Sequence, residues 1–273
     1  MIATATPLDF ELIDVAGIKV ELWQGGSGRP VIYLHSAAGL ELEASFLSAL
    51  AQRYQVFAPS HPGFGGSDLP QGFTSIDDLS YVCLDFIRKY GLADAVLLGV
   101  SLGAWIAAEV GTKCTHALAG IVLADALGVK FSDRTTRDIV DLFAAPAYAH
   151  GPLLYSDGRK LDYSGLPEET LLRLARNHSN FARLAWSPTL HNPRLRERLH
   201  RIDVPTQVLW GAEDRIVSVE YGRRFAEAIP DARFEVVDGA GHYVHLERTD
   251  RFMAVVNSFI GTLPPFDGGS LDP

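Results

Sequence analysis

The chain has 273 residues, enough for one large domain or a core with a modest insertion. With 47 % apolar and 21 % charged residues it is composed as a globular protein, which excludes an extended disordered chain. Its 24 basic and 33 acidic residues leave a net charge of −9, a poor match for phosphate backbones, so no nucleic-acid partner is expected.

The uncharged stretch 95–108 runs 14 residues, short of the roughly 20 that a spanning helix needs, and no membrane partner is expected. Residues 1–10 carry neither a basic start nor an apolar run, unlike a secretory leader, so the expected localisation is cytoplasmic. Cys83 and Cys114 lie in apolar segments without Cys-x-x-Cys or Cys/His spacing, and both read as buried thiols.

In chain order, short β-branched and aliphatic runs alternate with helical patterns. Residues 18–23 read as a strand, 30–34 as a buried strand ending at His35, 41–53 as a helix, and 56–58 as a strand. Ser75 opens a helix whose apolar positions Leu79, Val82, Phe86 and Ile87 recur at spacings of three and four. Strand 95–98, helix 102–110 and strand 119–124 follow. After a break come strand 206–210, helix 221–228, strand 233–237 and helix 249–260. This alternation predicts a mostly parallel sheet with helices on both faces. Gly268, Gly269 and Ser270 with Pro264, Pro265 and Pro273 read as a frayed end.

Residues 126–204 break the pattern, with candidate helices at 133–143, 167–186 and 193–202 and no convincing strand. Pro167 in the first turn and Glu168 and Glu169 near the positive helix end support the second. This segment holds 12 basic and 9 acidic residues, a charge of +3, against −12 for the remainder. It reads as a basic helical insertion in an acidic core formed by 1–125 and 205–273.

Gly99-Val100-Ser101-Leu102-Gly103 fits Gly-x-Ser-x-Gly, follows a strand and opens a helix. So sharp a turn leaves no room for side chains two residues either side of the serine, which is held exposed at the tip. The helix start and the Leu102 N–H favour a developing negative charge there. The alternative is a tight turn carrying an inert serine.

A serine needs a base. Among nine histidines, His242 in Asp238-Gly239-Ala240-Gly241-His242 lies on a glycine-rich loop after a strand, with His245 ranked second. The base needs an orienting carboxylate. Asp214 follows strand 206–210, and Asp125, which ends strand 119–124, is its competitor. Chain order favours Asp214, leaving Asp125 to cap the chain entering the insertion. The second oxyanion donor is expected from His35-Ser36-Ala37-Ala38-Gly39, with the Ala37 N–H facing that of Leu102 and His35 as a structural hydrogen-bonding residue. Residues 62–67 lack the Gly-Lys-Ser/Thr ending of a phosphate loop and read as a turn beside the site.

These residues resemble the α/β-hydrolase superfamily: the elbow at Ser101, Gly211 to Asp214, and Gly241-His242, in the order serine, aspartate, histidine. The resemblance implies an α/β-hydrolase fold with an eight-stranded, mostly parallel sheet, helices on both faces, and 126–204 as an inserted helical cap over the pocket. It implies a small-molecule substrate and no metal or organic cofactor. The oligomeric expectation is a monomer or a homodimer. Ser36, Trp105, Phe181, Trp186 and Tyr243 are candidate substrate contacts, as are Leu142 and Tyr148 in the cap. Two positions depart from the family pattern: Ser36 replaces the glycine of His-Gly, narrowing the acyl site, and Ser60 replaces an aspartate.

The serine argues against haloalkane dehalogenases and epoxide hydrolases, which place an aspartate at the elbow. The leading expectation is hydrolysis of a carboxylic ester, lactone or thioester through an acyl-enzyme. The alternatives are carbon–carbon cleavage of a meta-cleavage-type dienoate, a cofactor-free haloperoxidase or perhydrolase reaction, and a non-enzymatic ligand receptor on the same fold. Arg173, Arg176 and Arg183 share one candidate helix, as an anchor for a substrate carboxylate or as a solvated face.

Overall fold

The computed structural model describes residues 8–133 and 135–266. The tail positions 268–270 and 273, and residues 1–7 of the leader reading, lie outside the described residues. Eight strands form one sheet in the order β1-β2-β4-β3-β5-β6-β7-β8. They are β1 (Asp9–Val15), β2 (Ile18–Gly25), β3 (Pro30–Leu34), β4 (Gln55–Pro59), β5 (Ala95–Val100), β6 (Leu118–Ala124), β7 (Thr206–Gly211) and β8 (Arg233–Val237). Only β2 runs against its neighbours.

The central strands β3 and β5 are buried at every position, as a sheet covered on both faces requires. The period-two alternation of β3, β5 and β6 feeds two cores. Ile32, Leu34, Leu97, Ile121 and Leu123 join α2 (Ile76–Lys89), α3 (Leu102–Lys113) and α7 (Val219–Glu227). Val31, Tyr33, Val96, Leu98 and Val122 join α1 (Ala44–Ala51) and α9 (Thr249–Ile260) on the other face. Ser75 and Asp78 close a capping box on α2, satisfying amides that the first turn leaves open. Strand β1 escaped the sequence pattern because it is the outermost strand, with Phe10 and Leu12 exposed beside Asp9 and Glu11. The helix read over 41–53 divides into a 3-10 turn, Leu40–Leu42, and α1.

Residues 126–204 lie between β6 and β7 and carry α4 (Ala147–Leu154), α5 (Glu168–Ala185) and α6 (Leu195–Arg198), with a 3-10 turn at Leu199–Arg201. The expected 193–202 helix is thus two short turns, and the expected 133–143 helix does not form. There Asp133 accepts the Thr135 and Thr136 N–H groups, Asp138 those of Phe131 and Ser132, and Asp141 those of Phe143 and Ala144. Short acidic side chains that capture nearby amides this way compete with the helical ladder. Bonds from Thr135 and Thr136 hold the Asp133 carboxyl down to about 2. Helix α4 escaped notice because Gly151 and Pro152 interrupt it. Cys114 is half-exposed rather than buried, with Sγ 2.8 Å from Nδ1 of His116, whereas Cys83 is buried and its thiol pushed up to about 12. No helix among the described residues is long and apolar enough to cross a membrane.

Candidate active site

The turn from β5 to α3 puts Ser101 at φ 54°, ψ −112°. Sterics explain its glycines: a Cβ on Gly99 would lie 2.4 Å from the Gly103 carbonyl oxygen, and one on Gly103 would lie 1.9 Å from that of Leu34. The non-glycine positive φ is strain held by the strand behind and the helix ahead.

Three loops at the carboxyl ends of β5, β7 and β8 bring Ser101, Asp214 and His242 together. Ser101 Oγ is 2.8 Å from His242 Nε2, and His242 Nδ1 is 2.8 Å from Asp214 Oδ2. The other oxygen of Asp214 accepts the Ile216 N–H at 2.7 Å and the Val217 N–H at 3.1 Å. A carboxylate held this way requires the proton on Nδ1, leaving the Nε2 lone pair for the serine hydroxyl. Ser101 and His242 are buried, and Asp214 is 9 % exposed.

Asp125 is fully buried at φ 46°. Its Oδ1 accepts the Gly211 N–H at 2.8 Å, so it ties the end of β6 to β7 rather than capping the entry to the insertion. Burial and the neighbouring Asp214 push its pKa well above the usual range.

Backbone bonds decide which donors remain in the loop after β3. Ser36 N–H goes to Glu43 Oε1 at 3.2 Å, Ala38 N–H to Ser36 Oγ at 3.2 Å, and Gly39 N–H to the Ser36 carbonyl at 3.2 Å. Of the four amides from Ser36 to Gly39, this leaves Ala37 N–H as the one without an acceptor among the described residues. Ser36 itself is buried, and its hydroxyl braces the loop from within. His61 N–H donates to His35 Nε2 at 2.9 Å, which fixes the His35 proton on Nδ1, 2.6 Å from the Ser36 carbonyl. The two imidazoles stack at 3.8 Å. Burial lowers His35, and burial with the neighbouring His35 lowers His61 further.

The sequence reading passed over Glu43, Asn177 and Glu247. Glu43 is fully buried, accepts the Tyr33 hydroxyl at 2.7 Å, and lies 3.6 Å from His245 Nε2. Burial raises its pKa, but His245, His35 and the Ser36 N–H outweigh that, and the net direction is downward. Glu247 holds the Gly241 N–H at 2.6 Å and the Ser156 hydroxyl at 2.7 Å, joining the His242 loop to the insertion. Each stands among other polar residues in the chain, and only its tertiary partners distinguish it.

The α5 arginines are all paired, Arg173 half-buried and Arg176 and Arg183 exposed. Arg173 pairs with Glu21 at 2.8 Å and Glu41 at 3.1 Å; Arg176 donates to the Gly65 and Ser67 carbonyls; Arg183 reaches that of Gln71. Residues 62–67 therefore form a docking turn for α5. No aspartate stands at position 60, yet the Glu21 carboxylate lies under Gly65 and Gly66.

The other candidate contacts are placed unevenly. Tyr243 is buried, its ring 5.8 Å from that of His242. Phe181 is buried against Phe143, at 5.2 Å. Trp105 packs beneath Gly128 and donates to Glu109 at 3.3 Å. Leu142 is half-buried against the core, whereas Trp186 and Tyr148 are 60 % and 77 % exposed.

Comparison with known proteins agrees with the geometry. The profile described as alpha/beta hydrolase family matches residues 22–255. The chain is 25 % identical to the 2-hydroxy-6-oxo-6-(2'-aminophenyl)hexa-2,4-dienoic acid hydrolase of Metapseudomonas resinovorans, over 91 % of this chain and 89 % of that one. It is similar in fold to a meta-cleavage product hydrolase from Pseudomonas fluorescens IP01, with TM-score 0.75, 22 % identity, and coverage of 92 % and 97 %. A thermophilic esterase from Thermogutta terrifontis gives TM-score 0.71 and 22 % identity over 94 % of this chain and 98 % of the other. A serine elbow, a sheet of this order and a sequence match over most of the chain converge on one conclusion: this protein belongs to the alpha/beta hydrolase family.

Proposed function

We propose that the protein hydrolyses a carboxylic ester, or a related lactone or thioester, of a small molecule through an acyl-enzyme on Ser101. The observation that carries this reading is the continuous relay Ser101–His242–Asp214, with both contacts at 2.8 Å inside a buried site. His242 Nε2 takes the hydroxyl proton as Ser101 Oγ attacks the carbonyl carbon. Asp214 keeps the imidazole in the required tautomer and stabilises its cation. The Ala37 and Leu102 N–H groups receive the oxyanion, where one such donor contributes roughly 3 kcal/mol to lowering the barrier. His242 then returns the proton to the leaving alcohol, and a water deprotonated by His242 releases the acid. Residues 126–204 act as a cap: α5 docks on the oxyanion side of the site, and residues 154–156 crowd Gly241 on the histidine side.

Carbon–carbon cleavage of a dienoate is the second reading, favoured by the activity named for the relative from Metapseudomonas resinovorans. Arg173 and Arg176 weigh against it, because they are engaged by the Glu21 and Glu41 carboxylates and by the Gly65 and Ser67 carbonyls, while the exposed Arg183 reaches the Gln71 carbonyl. The test is burst-phase kinetics with p-nitrophenyl esters of graded acyl length, wild type against Ser101→Ala. A stoichiometric burst in the wild type that vanishes in the variant is the expected result. A Ser101→Ala protein of full activity overturns the mechanism. A wild type inert to every ester but active on a ring-cleavage dienoate moves the assignment to the second reading.

A further inference from the structure

We propose that Asn177, on α5 of the insertion, is a positioning residue for the oxyanion donor Ala37, acting through its bond to the oxyanion loop. This rests on the ester-hydrolysis reading given above. Asn177 is fully buried, and both ends of its amide are used. Oδ1 accepts the Gly65 N–H at 2.9 Å, and Nδ2 donates to the Ala38 carbonyl at 2.9 Å. An N–H can only donate and a carbonyl can only accept, so these partners fix the orientation of the amide.

The path from Asn177 to the reacting atoms is a chain of aligned peptide groups. Asn177 Nδ2 holds the carbonyl of the Ala38–Gly39 peptide. The N–H of that same peptide donates to the Ser36 carbonyl at 3.2 Å. That carbonyl belongs to the Ser36–Ala37 peptide, whose N–H is the open donor. Each bond polarises the next in the same sense, so Asn177 both orients the Ala37 N–H and strengthens it. The amide also lies flat on the loop: a Cβ at Gly39 would stand 2.3 Å from Asn177 Nδ2. Neighbouring residues of α5 grip other segments, Arg173 at Glu21 and Glu41, Arg176 at the Gly65 and Ser67 carbonyls, and Asn180 at that of Gly63. Of these α5 side chains, Asn177 alone bonds the oxyanion loop itself.

Asn177→Asp is the discriminating variant. Its carboxylate still accepts the Gly65 N–H but presents an oxygen to the Ala38 carbonyl, so it breaks only the link to the loop. Asn177→Ala removes both links, and Arg176→Gln loosens α5 without touching the loop. The measurements are kcat and KM on the best p-nitrophenyl ester, the inhibition constant of an alkyl trifluoromethyl ketone that forms an oxyanion adduct with Ser101, and a thermal melt of each variant. Asn177→Asp is expected to lower kcat about 10- to 100-fold with KM within about threefold. It is expected to weaken the ketone by the same factor, with Asn177→Ala following and Arg176→Gln near wild type in both. Full kcat in the two Asn177 variants overturns the proposal. So does an equal loss in Arg176→Gln, which would assign the effect to cap seating alone. A wild type that neither hydrolyses esters nor binds the ketone fails at the earlier step and overturns the ester reading together with this one.

Discussion

Two buried aspartates stand side by side behind His242, and their surroundings separate their roles. Asp214 accepts two backbone N–H groups and faces His242 Nδ1, whereas Asp125 accepts the Gly211 N–H of β7 and lies beside Asp214. Asp214→Asn should lower kcat by about four orders of magnitude, since an amide favours the wrong tautomer of the base. Asp125→Asn should leave kcat within a few-fold, because an amide can still accept the Gly211 N–H. Its effect on stability has a definite sign. An unfolded aspartate ionises near 4 and the folded value of Asp125 is raised above it, so its contribution is present at low pH and is lost as pH rises through that folded value. Asp125→Asn should therefore be nearly neutral in a thermal melt at pH 4 and progressively stabilising toward pH 8. A flat difference across that range would place the proton elsewhere.

At the scale of elements, the insertion is attached by polar contacts as well as by apolar packing. The α5 face that meets the core presents Arg173, Arg176, Asn177 and Asn180 beside the buried Phe181, Leu184 and Ala185, and the charge asymmetry of +3 against −12 is used within the molecule at Arg173. Arg173→Ala strands the Glu21 carboxylate, which is 4 % exposed, and should cost about 1–3 kcal/mol in urea unfolding. Adding Glu21→Gln should recover part of that loss, because the stranded charge goes with it. On the opposite face of the sheet, α9 packs against α1. Phe252 of α9 is fully buried, its ring edge-on to Phe46 at 5.5 Å, and Phe252→Ala should cost about 3–5 kcal/mol by the same measurement.

For the molecule as a whole, acid sensitivity is built in beside the catalytic loop. His35 and His61 are both buried with lowered pKa values, so the stability they contribute is present above about 6.5 and lost as pH falls toward their folded values. Each proton taken up by the unfolded chain contributes about 1.4 kcal/mol per pH unit, so both together give a slope near 2.7 at most. Thermal melts between pH 7.5 and 5 should show a steep decline, and His61→Asn should flatten it. The loss falls where it matters for activity, since His61 fixes the tautomer of His35 and His35 holds the peptide that carries Ala37 N–H.

Local pattern was enough for most of this. Buried strands read as continuous aliphatic runs, amphipathic helices as three-and-four spacing, and the elbow as glycines around a serine, because each signal is set by neighbours in sequence. Strand β1, the turn over 133–143 and the interrupted α4 were not legible, since exposure, local side-chain capture of amides and a proline each override periodicity. Chain order pointed to Asp214, but only the fold could separate it from Asp125, because both follow strands that end on one edge. The functional use of Glu43, Asn177 and Arg173 was decided by tertiary structure alone. A lone buried amide or ion pair has no sequence period; its partners lie tens to more than a hundred residues away, and what it does depends on which loop it meets.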